Sequence, residues 1–380
     1  MNRLLITACL ALVACASADA PAQSRNTATA PDVPTAPTFG GRLQAATDVQ
    51  VTQFASVRNA RAMVLGADGS VYVSQPSNGQ ITRLVDTNHD GVADVNTVVL
   101  RGLNQPHGMA FHGGWMYVAN TNAVVRFRLG VDGLPGGQPQ TIATYTWGQG
   151  HSTRSIVFGP DSMLYVSIGS SCNICVERTP DRASVMRFDP DGAGGRVFAA
   201  GLRNAVGMAV NPVTGKIWVS QNERDDVSPN HQDLPPEEIN ILDDGANYGW
   251  PYCYGNRVPN PEFNDAARCA TTTPPALMMQ AHSAPLGMSF LSKATLLPER
   301  YRGDLLLAFH GSWDRDVPTG DKVVRVVVKN GLPVSYEDFI VGWQLANDRW
   351  GRPVDVLVAA DGSVLISDDA NGAIYRVTRR

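Results

Sequence analysis

A short apolar strand, a tight turn and a second apolar strand recur six times along this chain, and that repetition constrains the fold most. Ala62-Met63-Val64-Leu65 with Val71-Tyr72-Val73 opens the series, and Gly108-Met109-Ala110-Phe111 with Met116-Tyr117-Val118 follows. Ile156-Val157-Phe158 with Leu164-Tyr165-Val166 and Gly207-Met208-Ala209-Val210 with Ile217-Trp218-Val219 come next. Gly287-Met288-Ser289-Phe290 with Leu305-Leu306-Leu307, then Val354-Asp355-Val356-Leu357-Val358 with Val364-Leu365-Ile366, complete it. Asp-Gly and Asn-Pro pairs between the strands are hairpin punctuation. Such a unit repeats about every 40 to 50 residues in a propeller, where each four-stranded blade is covered by its neighbours. The expectation is an all-β, six-bladed β-propeller over residues 46–380, with Val49-Gln50-Val51-Thr52-Gln53-Phe54 completing the final blade. The Pro- and Asn-rich segment 227–275 falls in the one long gap and reads as a loop insertion on one face.

Composition narrows the setting. A formal charge of −4 leaves no basic footprint for nucleic acid, and no apolar run after residue 20 is long enough to span a bilayer. Arg3 followed by the apolar stretch Leu4 to Ala14 reads as an export signal over residues 1–20. Within it Leu12-Val13-Ala14-Cys15 resembles a lipobox, which would leave Cys15 lipidated; ordinary cleavage after the small residues 16–20 is the alternative. Residues 21–45, rich in Ala, Pro and Thr, read as a disordered tether. The expected setting is the periplasm or beyond, with membrane contact only through a lipid. Export makes two disulfides the natural reading of the four remaining cysteines, Cys172 with Cys175 and Cys253 with Cys269.

Two groups of polar residues carry chemistry. Asp86, Asn88, Asp90 and Asp94 place oxygen side chains at alternate positions around Gly91, the first half of a calcium loop, though Thr97 stands where the usual twelfth-position Glu would. The other group falls at blade ends: His107, His151, Arg203 and Asn204 before inner strands, Asn222 to Asp226 after Trp218, His310 to Trp313 after Leu307, and Arg349 and Arg352 before the last blade. Because blades are radial, equivalent offsets converge on one axis. A mixed His/Arg/Asn/Asp ring there suits an anionic ligand plus a metal.

At these residues the chain resembles the glucose/sorbosone dehydrogenase family, which includes the soluble pyrroloquinoline quinone (PQQ)-dependent sugar dehydrogenases. The similarity is carried by Gly201-Leu202-Arg203-Asn204-Ala205-Val206-Gly207-Met208, by Glu238-Ile239-Asn240-Ile241-Leu242 and by Gly245-Ala246-Asn247-Tyr248-Gly249-Trp250-Pro251. His151, eight residues before Gly159-Pro160-Asp161, matches the spacing of the family's catalytic histidine. The resemblance implies PQQ over the central tunnel as hydride acceptor, with His151 taking the proton from the anomeric hydroxyl. It implies that Arg203 and Asn204 bond the quinone oxygens and that Arg352 pairs with a PQQ carboxylate, with His310, Trp313 and Arg349 also around the cofactor. Calcium would be held partly by backbone carbonyls near Glu223 and Arg224. Three departures resemble the sorbosone-type branch: Arg352-Pro353-Val354-Asp355 carries one arginine fewer than usual, His310-Gly311-Ser312-Trp313-Asp314-Arg315 lacks a lysine, and Asn222-Glu223-Arg224-Asp225 lacks a Gly-Pro.

The leading expectation is thus oxidation of an aldose or a sorbosone-like aldehyde, with a quinone or cytochrome as electron acceptor. A calcium-dependent lactonase and a cofactor-free binding propeller are the rivals; the first would need a carboxylate-rich centre, and the sequence suggests more arginine than carboxylate there.

Overall fold

The computed structural model describes residues 36–38, 42–345 and 348–380. The export signal, Cys15 and most of the tether lie outside them. Six antiparallel sheets form the body. Blade 1 spans Met63–Leu65 to Val95–Leu100, blade 2 Met109–His112 to Pro135–Thr144, and blade 3 Ile156–Phe158 to Arg196–Ala200. Blade 4 runs from Ala205–Val210 to Leu277–Met279, blade 5 from Pro285–Phe290 to Leu332–Val341, and blade 6 from Pro353–Val358 to Ala373–Arg379. The fold is the six-bladed propeller that the repeats imply.

Six of the buried apolar clusters each straddle two successive blades, and a small seventh joins Val206, Leu286 and Val354 of blades 4, 5 and 6, so a single blade has no core of its own. Tyr72, Ile81 and Leu100 of blade 1 pack with Met116, Val118 and Phe127 of blade 2. Trp218 and Ile239 of blade 4 pack with Met288, Leu307 and Phe309 of blade 5. Phe54, Leu365 and Ile374 of blade 6 close the circuit on Met63, Val71 and Val73 of blade 1. A side chain such as Leu307, fully buried, contributes on the order of 1.5–3 kcal/mol by leaving water. The recurrent turn aspartates add a second device: Asp68 pairs with Arg83 at 2.7 Å, Asp161 with Arg187 at 3.1 Å and Asp361 with Arg376 at 2.6 Å. Each joins the first turn of a blade to its third strand. Being part-exposed, such pairs contribute about 1 kcal/mol or less.

The opening strand does close the ring. Val49–Ser56 pairs antiparallel with Ala373–Arg379 as the outermost strand of blade 6. The tether, however, ends earlier than residue 45: Leu43–Ala45 forms a strand against Ile340 and Val341 of blade 5, and Leu43 and Ala45 are buried. Their side chains fill the core between blades 5 and 6, and their backbone covers an outer edge that would otherwise offer unpaired groups.

The insertion is also smaller than the segment 227–275 suggests. Glu237–Ile241 is the third strand of blade 4, paired with Ile217–Gln221, and the excursion proper lies between that strand and Leu277–Met279. Both expected disulfides are present, Cys172–Cys175 and Cys253–Cys269. The second ties down the excursion across a separation of 16 residues. Replacing its cysteines by serine should cost about 3 kcal/mol by loop entropy, and the 172–175 pair should cost less. Urea unfolding of the two double variants checks the ranking, and an equal loss in both would contradict it.

Candidate active site

In an antiparallel hairpin the start of the first strand lies beside the end of the second. Ala205 thus faces Gln221, Pro285 faces Phe309, and Pro353 faces Asp368. Residues just before first strands and just after second strands therefore gather at one end of the propeller. There a cavity of 290 Å³ is lined by His151, Arg203, Asn204, His310 and Arg352, as the offsets imply, and also by Arg61, Glu237 and His282.

His151 is held by Ser170. Its Nδ1 lies 3.1 Å from Ser170 O and 3.0 Å from Ser170 Oγ. Ser170 Oγ itself donates to Cys172 O at 2.6 Å. Nδ1 therefore carries the proton, which leaves the lone pair on Nε2. That nitrogen has no hydrogen-bond partner among the described residues. Burial, then the nearby Arg203 and Arg182 cations, push the ring's pKa down to about 4, so it is neutral at pH 7. Gly169 makes the close approach possible: a Cβ there would lie 2.7 Å from both Asn204 Oδ1 and His151 Cβ.

Arg203 is buried and spread over fixed acceptors. Nε donates to Asn173 O at 3.0 Å, and Nη2 to Asn173 Oδ1 at 2.9 Å. Asn173 is one of the two residues inside the Cys172–Cys175 bridge, so that disulfide shapes the cap over this guanidinium. Nη1 of Arg203 donates to Glu223 O at 2.7 Å and Asn222 O at 3.2 Å. The carbonyls expected to hold calcium near Glu223 and Arg224 are thus occupied by an arginine. The Arg224 side chain points elsewhere, bonded to Glu262 at 2.5 Å. Glu223 and Glu237 are buried on the same flank, and burial raises both carboxyls, that of Glu237 to about 8.

The opposite flank is basic. Arg352 donates from Nε to His310 O at 2.9 Å and from Nη2 to Gly311 O at 3.1 Å. Among the described residues no carboxylate lies within ion-pair distance of it. Burial, and after it the neighbouring Arg349, press its pKa down, so the site lacks the anion this cation calls for. His310 Nε2 meets Asp369 Oδ1 at 3.0 Å, and Asp369 also pairs with Arg61 at 2.7 Å. Trp313 lines the rim and is 74% exposed. Arg349 does not line the cavity: its Nη2 is spent on Asp321 at 2.9 Å and Ser312 O at 2.7 Å, so it props the loop that carries Trp313.

Three residues were missed by the sequence reading although a signal existed. Arg61 and His282 precede the first strands of blades 1 and 5 as His107 precedes that of blade 2, and Asp369 follows the second strand of blade 6. Asn173 had no such signal, because a disulfide loop rather than a strand end delivers it. The centre is also less basic than expected: Glu223, Asp225, Glu237 and Asp314 line it together with Arg61, Arg203 and Arg352, and Asp225 lies 3.5 Å from Arg203.

The 86–94 loop connects the third and fourth strands of blade 1, at the end away from the cavity. Asp86 accepts from Gly91 N at 2.8 Å, Asp94 from Thr87 N at 2.7 Å, and Asn88 Nδ2 donates to Asp90 at 3.1 Å and Asp94 at 3.3 Å. The four oxygen-bearing side chains therefore face one another on an exposed turn.

A family model described as TrAA12-like matches residues 43–380. A PQQ-dependent sugar dehydrogenase of Hypocrea jecorina is 26% identical over 380 residues, 83% of this chain and 84% of that protein. A Borreliella burgdorferi protein of unassigned function is 34% identical, over 60% of this chain and 61% of its own length. Among solved structures, the calcium structure of a Trichoderma reesei AA12 enzyme superposes with a TM-score of 0.80 at 23% identity, covering 92% of this chain and 98% of that one. The PQQ domain of a Coprinopsis cinerea pyranose dehydrogenase, in holo form, gives 0.76 at 23%, covering 92% and 99%. At those identities the superpositions speak for the fold alone.

Proposed function

Because the chain belongs to the TrAA12-like family, we propose that it is an oxidoreductase that oxidises a sugar with PQQ. The observation that carries the reading is Arg352, a half-buried cation with no carboxylate partner among the described residues, in one cavity with a neutral histidine whose Nε2 has none either. PQQ is a flat tricarboxylate, and the donor set fits it: Arg352 for a carboxylate, which guanidinium matches well, and Arg203 and Asn204 for the quinone oxygens. Bound there, PQQ supplies a two-electron acceptor for the hydrogen leaving the sugar carbon. His151 Nε2 takes the hydroxyl proton, while Ser170 holds its ring in the useful tautomer. Asn204, whose Nδ2 makes only a 3.5 Å contact with Asn222 Oδ1, would donate to a quinone oxygen, while Arg203, its N–H groups held on Asn173, Asn222 and Glu223, would act through its fixed positive charge. Trp313 at the rim gives a sugar ring an apolar face to rest on. We read the substrate as an aldose or a sorbosone-like aldehyde, and the setting as the periplasm, with electrons passed on to a quinone or cytochrome.

Calcium on the carbonyls near Glu223 is disfavoured, because Arg203 already donates to Asn222 O and Glu223 O and would set a second cation against its guanidinium. The acidic flank does supply the carboxylates that a lactonase would use. Titration of the purified protein with PQQ, followed by dye reduction on a sugar panel and lactone hydrolysis without PQQ, separates the two. Failure to bind PQQ, with lactone hydrolysis present, would overturn the dehydrogenase reading.

For the 86–94 loop we propose a structural calcium ion. Asp90→Ala should abolish most of the rise in melting temperature that added calcium produces, since a ligand bound only to the folded state stabilises it. Melting that ignores calcium in the parent protein would remove this site.

A further inference from the structure

Beside the basic flank, Asp225, His282 and Asp314 bring three ligand-type side chains together on the cavity wall. They come from three different places: Asp225 from the loop after the second strand of blade 4, His282 from just before the first strand of blade 5, and Asp314 from the loop after that blade's second strand. His282 Nδ1 lies 3.7 Å from Asp225 Oδ1 and 3.8 Å from Asp314 Oδ2. These gaps are too long for hydrogen bonds. Donors held about 2.1 Å from one ion at tetrahedral angles stand roughly 3.4 Å apart, so the two His282 gaps need contract by only a few tenths of an ångström, and all three ligand atoms already lie within 4.8 Å of one another.

Two further observations point to a ligand. His282 is buried, and its Nε2 faces only carbonyl oxygens, His231 O at 2.6 Å and Leu234 O at 3.1 Å. Nε2 must therefore carry a proton, and Nδ1 faces the two carboxylates, which favour a second proton there; a metal ion at Nδ1 would take that proton's place. Carbonyl backing of this kind is how proteins fix a metal-binding imidazole. Both carboxylate oxygens of Asp314 are buried and accept no hydrogen bond from any described residue, a costly arrangement for an anion whose one ion-pair partner among them is a protonated His282 3.8 Å away. Asp225 is divided: its Oδ2 lies 3.5 Å from Arg203 Nη2, while Oδ1 looks toward His282.

We propose that Asp225, His282 and Asp314 form a divalent-cation site, with its remaining positions open to the cavity, that prefers a first-row ion such as Mn²⁺ or Zn²⁺ to calcium. The preference follows from the imidazole, since calcium takes oxygen donors while borderline transition ions accept nitrogen. Through Asp225 the ion is joined to Arg203, and so to the residues that would face a quinone.

The test needs no quinone and no sugar, so it stands whether or not the dehydrogenase reading does. Metal-stripped, PQQ-free full-length protein carrying Asp90→Ala, which silences the remote loop, is titrated with Mn²⁺ and followed by the loss of the free-ion paramagnetic resonance signal. One ion should bind per chain. His282→Gln and Asp314→Asn should each weaken binding about tenfold or more. Calcium should displace Mn²⁺ only at about a tenfold excess or more. Should His282→Gln fail to fold, the near-isosteric Asp314→Asn carries the test. No bound Mn²⁺, binding unchanged by the substitutions, or displacement by equimolar calcium would each overturn the proposal.

Discussion

Replacing His151 with alanine should lower sugar-oxidation turnover by roughly two to four orders of magnitude, the range for loss of a positioned base. The expectation rests on Nε2. Ser170 takes the Nδ1 proton, and burial with Arg203 and Arg182 holds the pKa near 4, so the lone pair is available throughout the neutral range. The acid limb of the rate profile should accordingly fall well below the ordinary imidazole value of about 6.5. PQQ affinity should be nearly unchanged, because no charge that meets the cofactor is removed. Steady-state kinetics at saturating PQQ, with a separate binding titration, check both halves. Full turnover in the variant would take His151 out of the chemistry.

Arg352→Ala should show the opposite pattern. Losing a charge-assisted hydrogen bond at this half-buried position costs about 1.5–3 kcal/mol, which at about 1.4 kcal/mol per decade is roughly a 10- to 150-fold loss of PQQ affinity. Turnover of the saturated enzyme should change far less, since Arg352 is tied to His310 O and Gly311 O on the flank away from His151. Arg352→Lys should recover only part of the affinity, because ammonium cannot match a carboxylate bidentately. Fluorescence titration with PQQ reads the change. An unaltered affinity in Arg352→Ala would mean that the cofactor's carboxylates are met elsewhere.

The fold was legible because propeller blades repeat and each repeat shows its strands as apolar runs. The closing strand Val49–Ser56 could be read for the same reason, having the alternation of a strand and no partner nearby. Leu43–Ala45 could not, as three residues at the end of an Ala/Pro-rich stretch carry no period. In the site, His151, Arg203, Asn204 and Arg352 were readable from their offsets to strands, and the same rule reaches His282 and Arg61. What no offset discloses is how side chains spend their valences. Arg203 has the position of a cofactor ligand, yet it also fills the carbonyls that seemed reserved for calcium. Arg349 has the right position but its hand is taken by Asp321. Such outcomes depend on which acceptor a guanidinium reaches first in three dimensions.

The joining of Val49–Ser56 to Ala373–Arg379 has a temporal side. Gln50 and Thr378 are hydrogen-bonded across 328 residues of chain, so this joint waits until the strand Ala373–Arg379 has been made. Until then blade 6 lacks its outer strand and the core it shares with blade 1 is open on one side. Contacts of this separation form slowly, because loop-closure entropy is paid before they repay it. A ring built this way stays open from the making of Val49–Ser56 to that of Ala373–Arg379. Over that interval its bare strand edges are the ones that most need a chaperone.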